Sequence, residues 1–270
     1  MISIVVPIYN EENSIESLVS GIHTALISAD VKNYEIILIN DGSNDNSKLK
    51  ILELQKINKN IILINFVTNF GQTDAFMAGF DYANGDIIIT MDGDLQNDPN
   101  DIQIILKKIK EGYSFVSGWR HERKDHPLKR NFLSKVANKL ISKFIGVELN
   151  DYGCSLKGYS KDIAKHIKIF GEMHRFLPVY AKNSGAKIAE VKVSHHARKF
   201  GQSKYGMNRI FKVLLDLLFV KFFFEYFKKP IYVFGGIGLM MLFLSFVSLT
   251  LSIILKLNGY SFVSTPLPTL

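Results

Sequence analysis

The chain has 270 residues, 47% of them hydrophobic, and a formal net charge of +8, which is enough for one large domain or two small ones around a real core. Its one cysteine, Cys154, excludes an internal disulfide and any cysteine-based metal cluster, and fits a reducing compartment. Charge is segregated: residues 1–115 carry 8 Lys, no Arg and 16 acidic residues, whereas residues 116–270 carry 25 Lys and Arg and 9 acidic residues. The basic half calls for an anion, whether nucleic acid, a phosphorylated ligand or an anionic membrane face.

In chain order, residues 2–7 form a short β-branched run closed by Pro7, which predicts a buried strand rather than a signal peptide. Residues 11–28 carry apolar side chains at helical spacing, with Asn13 or Ser14 as a cap. Strands are predicted at 34–39, 61–66, 87–91 and 114–117, and helices at 47–57, 73–82 and 101–111. This alternation argues an α/β domain with a parallel sheet covered on both faces. The polar clusters Tyr9-Asn10-Glu11, Asp41-Gly42-Ser43 and Asp92-Gly93-Asp94 all follow strands, and in open α/β sheets those carboxyl ends are where ligands bind.

Residues 119–143 are basic and mostly helical in pattern. Residues 151–159 read as irregular or strand-like, 162–169 as a helix, 187–193 as a strand, and 195–206 as a basic, glycine-bearing loop. Residues 207–229 form a long Phe- and Leu-rich helical pattern interspersed with lysines, and 231–255 contain no charged residue. The latter stretch exceeds the ~20 apolar residues that span a bilayer core. Arg198, Lys199, Lys204, Arg209, Lys228 and Lys229 precede it and only Lys256 follows, so the positive-inside rule puts the N-terminal domain in the cytoplasm, with 207–229 lying along the inner leaflet. Residues 256–270 read as a loop and the possible start of a second span. Basic residues crowded against a span argue against nucleic acid as the partner.

Asp92 and Asp94 are one residue apart at the end of a run of isoleucines. If strand geometry persists they point the same way, and two like charges so held disfavour each other's ionised form. A divalent cation or plain solvation would offset that. The segments "IVVPIYNEE", "NDGSNDNS", "TNFGQTDAFMAGF" and "MDGDLQNDP", in this order and spacing, resemble glycosyltransferase family 2. "DYGCSLKGY", "HRFLPVYA" and "RKFGQSKYG" are similar to its polyprenyl-phosphate branch, which includes the dolichyl-phosphate mannose synthases and the bacterial undecaprenyl-phosphate glucosyltransferases. The only tryptophan, Trp119, lies in no Gln-x-x-Arg-Trp motif, which counts against the processive polysaccharide synthases.

The resemblance implies a GT-A fold, Rossmann-like with a mostly parallel sheet, over residues 1–206. It implies an inverting hexosyltransferase that takes a nucleotide sugar, with UDP-glucose the expected donor, and a polyprenyl phosphate acceptor at the inner membrane. It implies Mg²⁺ or Mn²⁺ held by Asp92, Asp94 and Gln96, hard oxygen donors suited to such a cation. Pro7, Tyr9, Glu11, Asp41, Asp92 and Gln96 would meet the nucleotide sugar, although Asn40 replaces the family's usual Asp and Thr68 its usual Arg. Arg120, Arg123 and Arg130, with forked guanidinium groups suited to phosphate, and Arg198, Ser203 and Lys204 of the glycine-bearing loop, would serve the acceptor phosphate or the diphosphate. Asp94, Asp151 and Arg198 are the expected catalytic residues, with Asp151 as an orienting group or base. Each also has a plainer reading: a solvated acidic turn for Asp92 and Asp94, an ordinary turn for Asp41, a basic surface for the arginines. A transferase for another lipid or glycan, and a non-catalytic nucleotide-sugar-binding scaffold, are the competing functions. Self-association is left open.

Overall fold

β1 (Ile2–Ile8) and β2 (Tyr34–Asn40) lie side by side in the sheet, each a mainly isoleucine, valine and leucine run whose polar positions, Ser3, Glu35 and Asn40, are buried as well. Strands buried on both faces require such sequences. The computed structural model describes residues 1–121, 147–171, 173–197, 219–220, 222–223, 226 and 229–259. It divides into two compact units, 1–210 and 211–270.

In the first unit, β1, β2, β3 (Ile61–Asn65), β4 (Ile87–Thr90), β5 (Phe115–Arg120), β6 (Lys157–Ser160) and β7 (Ile188–Val193) make one seven-stranded sheet in the order β3-β2-β1-β4-β6-β5-β7. β1 pairs in parallel with β2 and β4, β2 with β3, and β5 with β7. β6 runs antiparallel to both β4 and β5. The segment read as irregular or strand-like at 151–159 is a loop followed by a short reversed strand, and the sheet is mostly parallel, as the resemblance implies.

Helices α1 (Ile15–Ser28), α2 (Ser47–Ile57), α3 (Gln72–Tyr82) and α4 (Ile102–Lys110) follow β1 to β4 in turn, a 3-10 turn at Pro99–Asp101 preceding α4. One face of the sheet presents Ile4, Val6, Ile36 and Leu38 to the apolar stripe of α1 and to Ile105 of α4. The opposite face receives α3. There Gly79 lets the helix approach so closely that an added Cβ would stand 2.2 Å from Val5 Cγ1. α5 (Lys161–His166), a 3-10 turn (Met173–Phe176) and α6 (Leu177–Asn183) complete this unit. Tyr159 on β6 packs edge-on against Phe80 and Phe115, with ring centroids 5.0 and 5.1 Å away.

β1 → β2 → β3 progresses to one side of β1, and the chain then returns to place β4 on the other. That reversal opens a crevice at the carboxyl ends of β1 and β4.

In the second unit, α7 (Ile231–Leu257) is a 27-residue helix with no buried side chain, reaching two residues beyond the charge-free stretch. At 1.5 Å per residue it is ~40 Å long, long and apolar enough to cross a membrane. Most of the amphipathic segment expected at 207–229 lies outside the described residues.

Candidate active site

The loop after β1 and the loop after β2 are clasped together by side chains. Ser43 Oγ accepts from Asn10 N at 3.0 Å, Asn10 Oδ1 accepts from Asn44 N at 2.8 Å, and Ser47 Oγ accepts from Glu11 N at 3.0 Å. Ser14 caps α1 by position, yet its hydroxyl makes no cap bond; its single proton is shared between Gly93 O at 2.8 Å and Glu11 O at 2.9 Å. This ties Glu11 to the loop that bears Asp92 and Asp94. Gly93 lies so close to β1 that a Cβ there would stand 2.7 Å from Ile8 Cδ1 and 3.1 Å from Pro7 O. Pro7, Tyr9 and Glu11 therefore form one wall of the crevice.

Asp41, at the end of β2, is buried and organises the neighbouring loop. Its carboxylate accepts from Phe70 N at 2.7 Å, from Gly71 N at 3.0 Å and from Asn69 Nδ2 at 2.9 Å. Burial raises its pKa above the ordinary value, against the lowering effect of the Phe70 and Gly71 amides. Asn40, in place of the family's usual Asp, holds the turn instead: its Nδ2 donates to Asn65 Oδ1 at 2.8 Å and its Oδ1 accepts from Ser43 N at 3.3 Å.

β4 ends at Thr90, so the strand geometry does not persist through Asp92 and Asp94. The chain turns instead, with Leu95 in the left-handed region at φ 61°, a conformation that costs a non-glycine residue energy and is concentrated at functional sites. The turn folds Gln96 N back onto Asp94 Oδ1 at 3.1 Å. Asp92 N donates to Asn97 Oδ1 at 3.1 Å, and Ser155 Oγ donates to the same oxygen at 2.8 Å. Gln72 Nε2 donates to Asp92 Oδ1 at 2.7 Å. Burial and the adjacent Asp94 charge push the Asp92 carboxyl up to about 6.

A largely covered arginine and a buried lysine lie behind this loop. Arg120 and Asp151 form a fork, Nε to Oδ2 at 2.7 Å and Nη2 to Oδ1 at 3.0 Å. Burial alone would lower the Arg120 pKa, but the Asp151 bonds and charge outweigh it and hold it above normal. Lys157 is buried, with Nζ donating to the carbonyls of Cys154 and Tyr152, and desolvation lowers its pKa. Burial pushes the Cys154 thiol up to about 11, which keeps it protonated.

The end of β7 is stitched to the same loop. Asp101 Oδ2 accepts from Ser194 N at 2.6 Å, His196 N donates to Gln96 O at 2.9 Å, and the His196 ring meets Asp98 Oδ2 at 3.0 Å. The structure thus brings Pro7, Tyr9, Glu11, Asp41, Asp92, Asp94 and Gln96 to the ends of three adjacent strands, with Arg120 and Asp151 paired beside them. Arg123, Arg130, Arg198, Ser203 and Lys204 lie outside the described residues. Gln72, Asn97 and Ser155 were not singled out from the sequence as functional. Gln72 opens α3, and its approach to Asp92 depends on the packing of that helix.

Among the described residues no cluster of three or more His, Cys, Asp or Glu side chains is placed to hold a metal. The two carboxylates fit a hard cation such as Mg²⁺, which is bound through one or two carboxylates and completes its shell with phosphate and water. Asp92, resisting ionisation beside Asp94, is the kind of group a cation would relieve.

The model of the family described as "Glycosyl transferase family 2" matches residues 3–168. The chain belongs to that family. It is 44% identical over 254 residues to the dodecaprenyl-phosphate galacturonate synthase of Rhizobium johnstonii, covering 88% of this chain and 71% of that one. It is 41% identical over 219 residues to the undecaprenyl-phosphate 4-deoxy-4-formamido-L-arabinose transferase of Shewanella sediminis, covering 80% of this chain and 65% of that protein. Among solved structures, mannosyl-3-phosphoglycerate synthase from Rubrobacter xylanophilus superposes with a TM-score of 0.67 at 14% identity, covering 83% of this chain and 74% of that one. Glucosyl-3-phosphoglycerate synthase from Mycobacterium tuberculosis, in complex with Mn²⁺, UDP and phosphoglyceric acid, gives 0.60 at 19% identity, covering 80% and 78%. These likenesses establish the glycosyltransferase GT-A fold for the family 2 domain.

Proposed function

We propose that this enzyme transfers a sugar from a nucleotide donor to a polyprenyl phosphate at the cytoplasmic face of a membrane, with inversion and with a divalent cation. The observation that carries this reading is the Asp92–Asp94 loop at the end of β4, facing the end of β1 where the strand order reverses. The relatives that match most of the chain are named for dodecaprenyl and undecaprenyl phosphate, which supports the acceptor.

Asp92 and Asp94, with Gln96, would hold Mg²⁺ or Mn²⁺. Such a cation neutralises the negative charge that builds on a departing diphosphate. Pro7, Tyr9 and Glu11 wall the nucleoside pocket. Asp41 fixes the 69–71 loop at its edge. Arg120, oriented by Asp151, adds positive potential beside the carboxylates.

The acceptor is a phosphate monoester with a second pKa of ~6 and is already dianionic near neutral pH. Positioning and charge screening therefore carry the rate, and Asp151 serves mainly to orient. Of the residues assigned to the lipid phosphate, Arg120 has its fork on Asp151, which leaves that role to Arg123, Arg130, Arg198, Ser203 and Lys204. A single displacement gives inversion. Residues 1–206 form the catalytic domain, 207–229 lie along the inner leaflet, and α7 anchors the chain, with the basic residues before it setting the orientation.

UDP-glucose is the donor expected from the sequence; galacturonate and 4-deoxy-4-formamido-L-arabinose, the sugars in the relatives' names, are the comparators, each offered as its UDP derivative. The test is transfer of radiolabelled sugar from this panel to undecaprenyl phosphate in detergent, with Mn²⁺ or with EDTA, for the parent and Asp94→Ala. Metal-dependent label in the lipid phase, lost in the variant, is the expected result. No lipid label from any donor, with UDP still bound, would point to another acceptor or to a scaffold.

A further inference from the structure

The first turn of α3 is held from two sides. Asp41 receives the Phe70 and Gly71 amides just before it, and Thr73 Oγ1 meets His174 Nδ1 at 2.9 Å just inside it. Between these anchors stands Gln72, whose amide nitrogen donates to Asp92 Oδ1 at 2.7 Å. Gly71, the residue preceding the helix, has no side chain with which to cap it, and the Gln72 side chain does not turn back to do so. It reaches across to the carboxylate instead.

We infer that Gln72 is a positioning residue that fixes the orientation of Asp92 for the divalent cation and the donor diphosphate. The inference rests on the metal reading given above and deepens it. Asp92 is held at two levels: its backbone amide by Asn97 Oδ1, and its carboxylate by Gln72 at 2.7 Å, with the Ser155 hydroxyl as a further donor beside it. The choice of an amide is chemically pointed. A Lys or Arg at this position would orient Asp92 and cancel its charge together. A neutral Nε2–H donor orients the carboxylate and leaves the negative charge for a cation. The donor also sits on a turn fixed by Asp41 and His174, so little freedom is lost when the bond forms. Partners that orient a metal-binding carboxylate in this way are worth 10- to 100-fold in metal affinity as an order of magnitude.

The test uses the full chain in detergent and follows Mn²⁺ binding in the presence of UDP by electron paramagnetic resonance, with donor and acceptor KM measured alongside. Gln72→Met keeps the length and removes the donor. Asp92→Asn is the reference for loss of the metal site. The expected result is that Gln72→Met weakens Mn²⁺ binding by about 10- to 100-fold and raises the donor KM, with the acceptor KM and the metal-free melting temperature unchanged. If Gln72→Met lowers that melting temperature, Gln72→Asn, which keeps the amide but falls short of Asp92, decides by the same readouts. Mn²⁺ affinity within twofold of the parent, while Asp92→Asn loses binding, would overturn the role of Gln72 and leave the proposed function intact. Unchanged Mn²⁺ binding in Asp92→Asn would overturn the metal reading and this inference together.

Discussion

Arg120 and Asp151, 31 residues apart in sequence, meet through two near-parallel hydrogen bonds of 2.7 and 3.0 Å, with only 13% and 6% of their side chains exposed. Removing either side chain takes the forked partner from the other. Asp151→Ala leaves a buried guanidinium without its counter-charge, a change that costs about 3–5 kcal/mol in comparable buried pairs. Urea unfolding of the detergent-solubilised chain should show a loss of that order. A loss of transfer with unaltered stability would instead place the role of Asp151 in the reaction rather than in the fold.

The pH dependence of cation binding follows from Asp92. Its folded-state pKa is about 6, against an ordinary 3.8. Below the ordinary value the group is protonated in both the folded and the unfolded chain. Between the two values the folded chain binds more protons, so stability without a cation falls as pH rises through this window. A divalent cation reverses the cost by favouring the ionised form. Calorimetric titration with Mn²⁺ should show weak, proton-releasing binding at pH 5 and tighter binding with little proton release at pH 7.5. Equal affinities at the two pH values would exclude Asp92 as the group that must ionise.

Gly42→Ala is expected to be severely destabilising for a local reason. Gly42 has φ 64°, and a Cβ there would stand 2.3 Å from the Thr68 carbonyl carbon, which is backbone and cannot swing aside. Left-handed strain and overpacking together should exceed about 2 kcal/mol. Gly112, with φ 91° but nothing within 4 Å, is the control that isolates the conformational part. Unfolding curves for the two variants separate these contributions.

Asp41→Asn tests whether Asp41 organises the 69–71 loop. The carboxylate accepts two backbone amides and one side-chain amide. An isosteric amide replaces one accepting oxygen with a donor and sets it against those N–H groups. Hydrogen exchange at Phe70 and Gly71 should quicken by about 10-fold or more, since bonds to a charged acceptor contribute about 1.5–3 kcal/mol. Unchanged protection would mean that the loop is held by Asn69 and by packing alone.

Much of the first 120 residues was legible from sequence because each strand there is a dense apolar run and each turn carries its own chemistry. The expected strand at 34–39 and the observed Tyr34–Asn40, like the helix at 47–57, differ by no more than a residue. What was hidden has a common cause. β6 is only Lys157–Ser160, with a glycine and a buried lysine where a strand signal would need apolar side chains. It is a strand because β4 and β5 flank it, and no local pattern reports that. The Gln72–Asp92 and Arg120–Asp151 contacts likewise join segments 20 and 31 residues apart, and depend on how α3 and the loop before β6 pack. The Asp92–Asp94 pair could be found from residue type and position. The side chains that hold it in place could not.

β1 lies beneath the whole crevice, paired on both sides, with Ile4, Val5 and Val6 fully buried. Amides in such a strand exchange with solvent only when the entire domain opens, so the floor of the site is as durable as the fold itself. The loops above it, from Tyr9, Asp41 and Asp92 onward, are fastened mainly by side chains to one another. The site therefore combines a floor that moves only with the whole fold and a rim whose side-chain clasps can open locally.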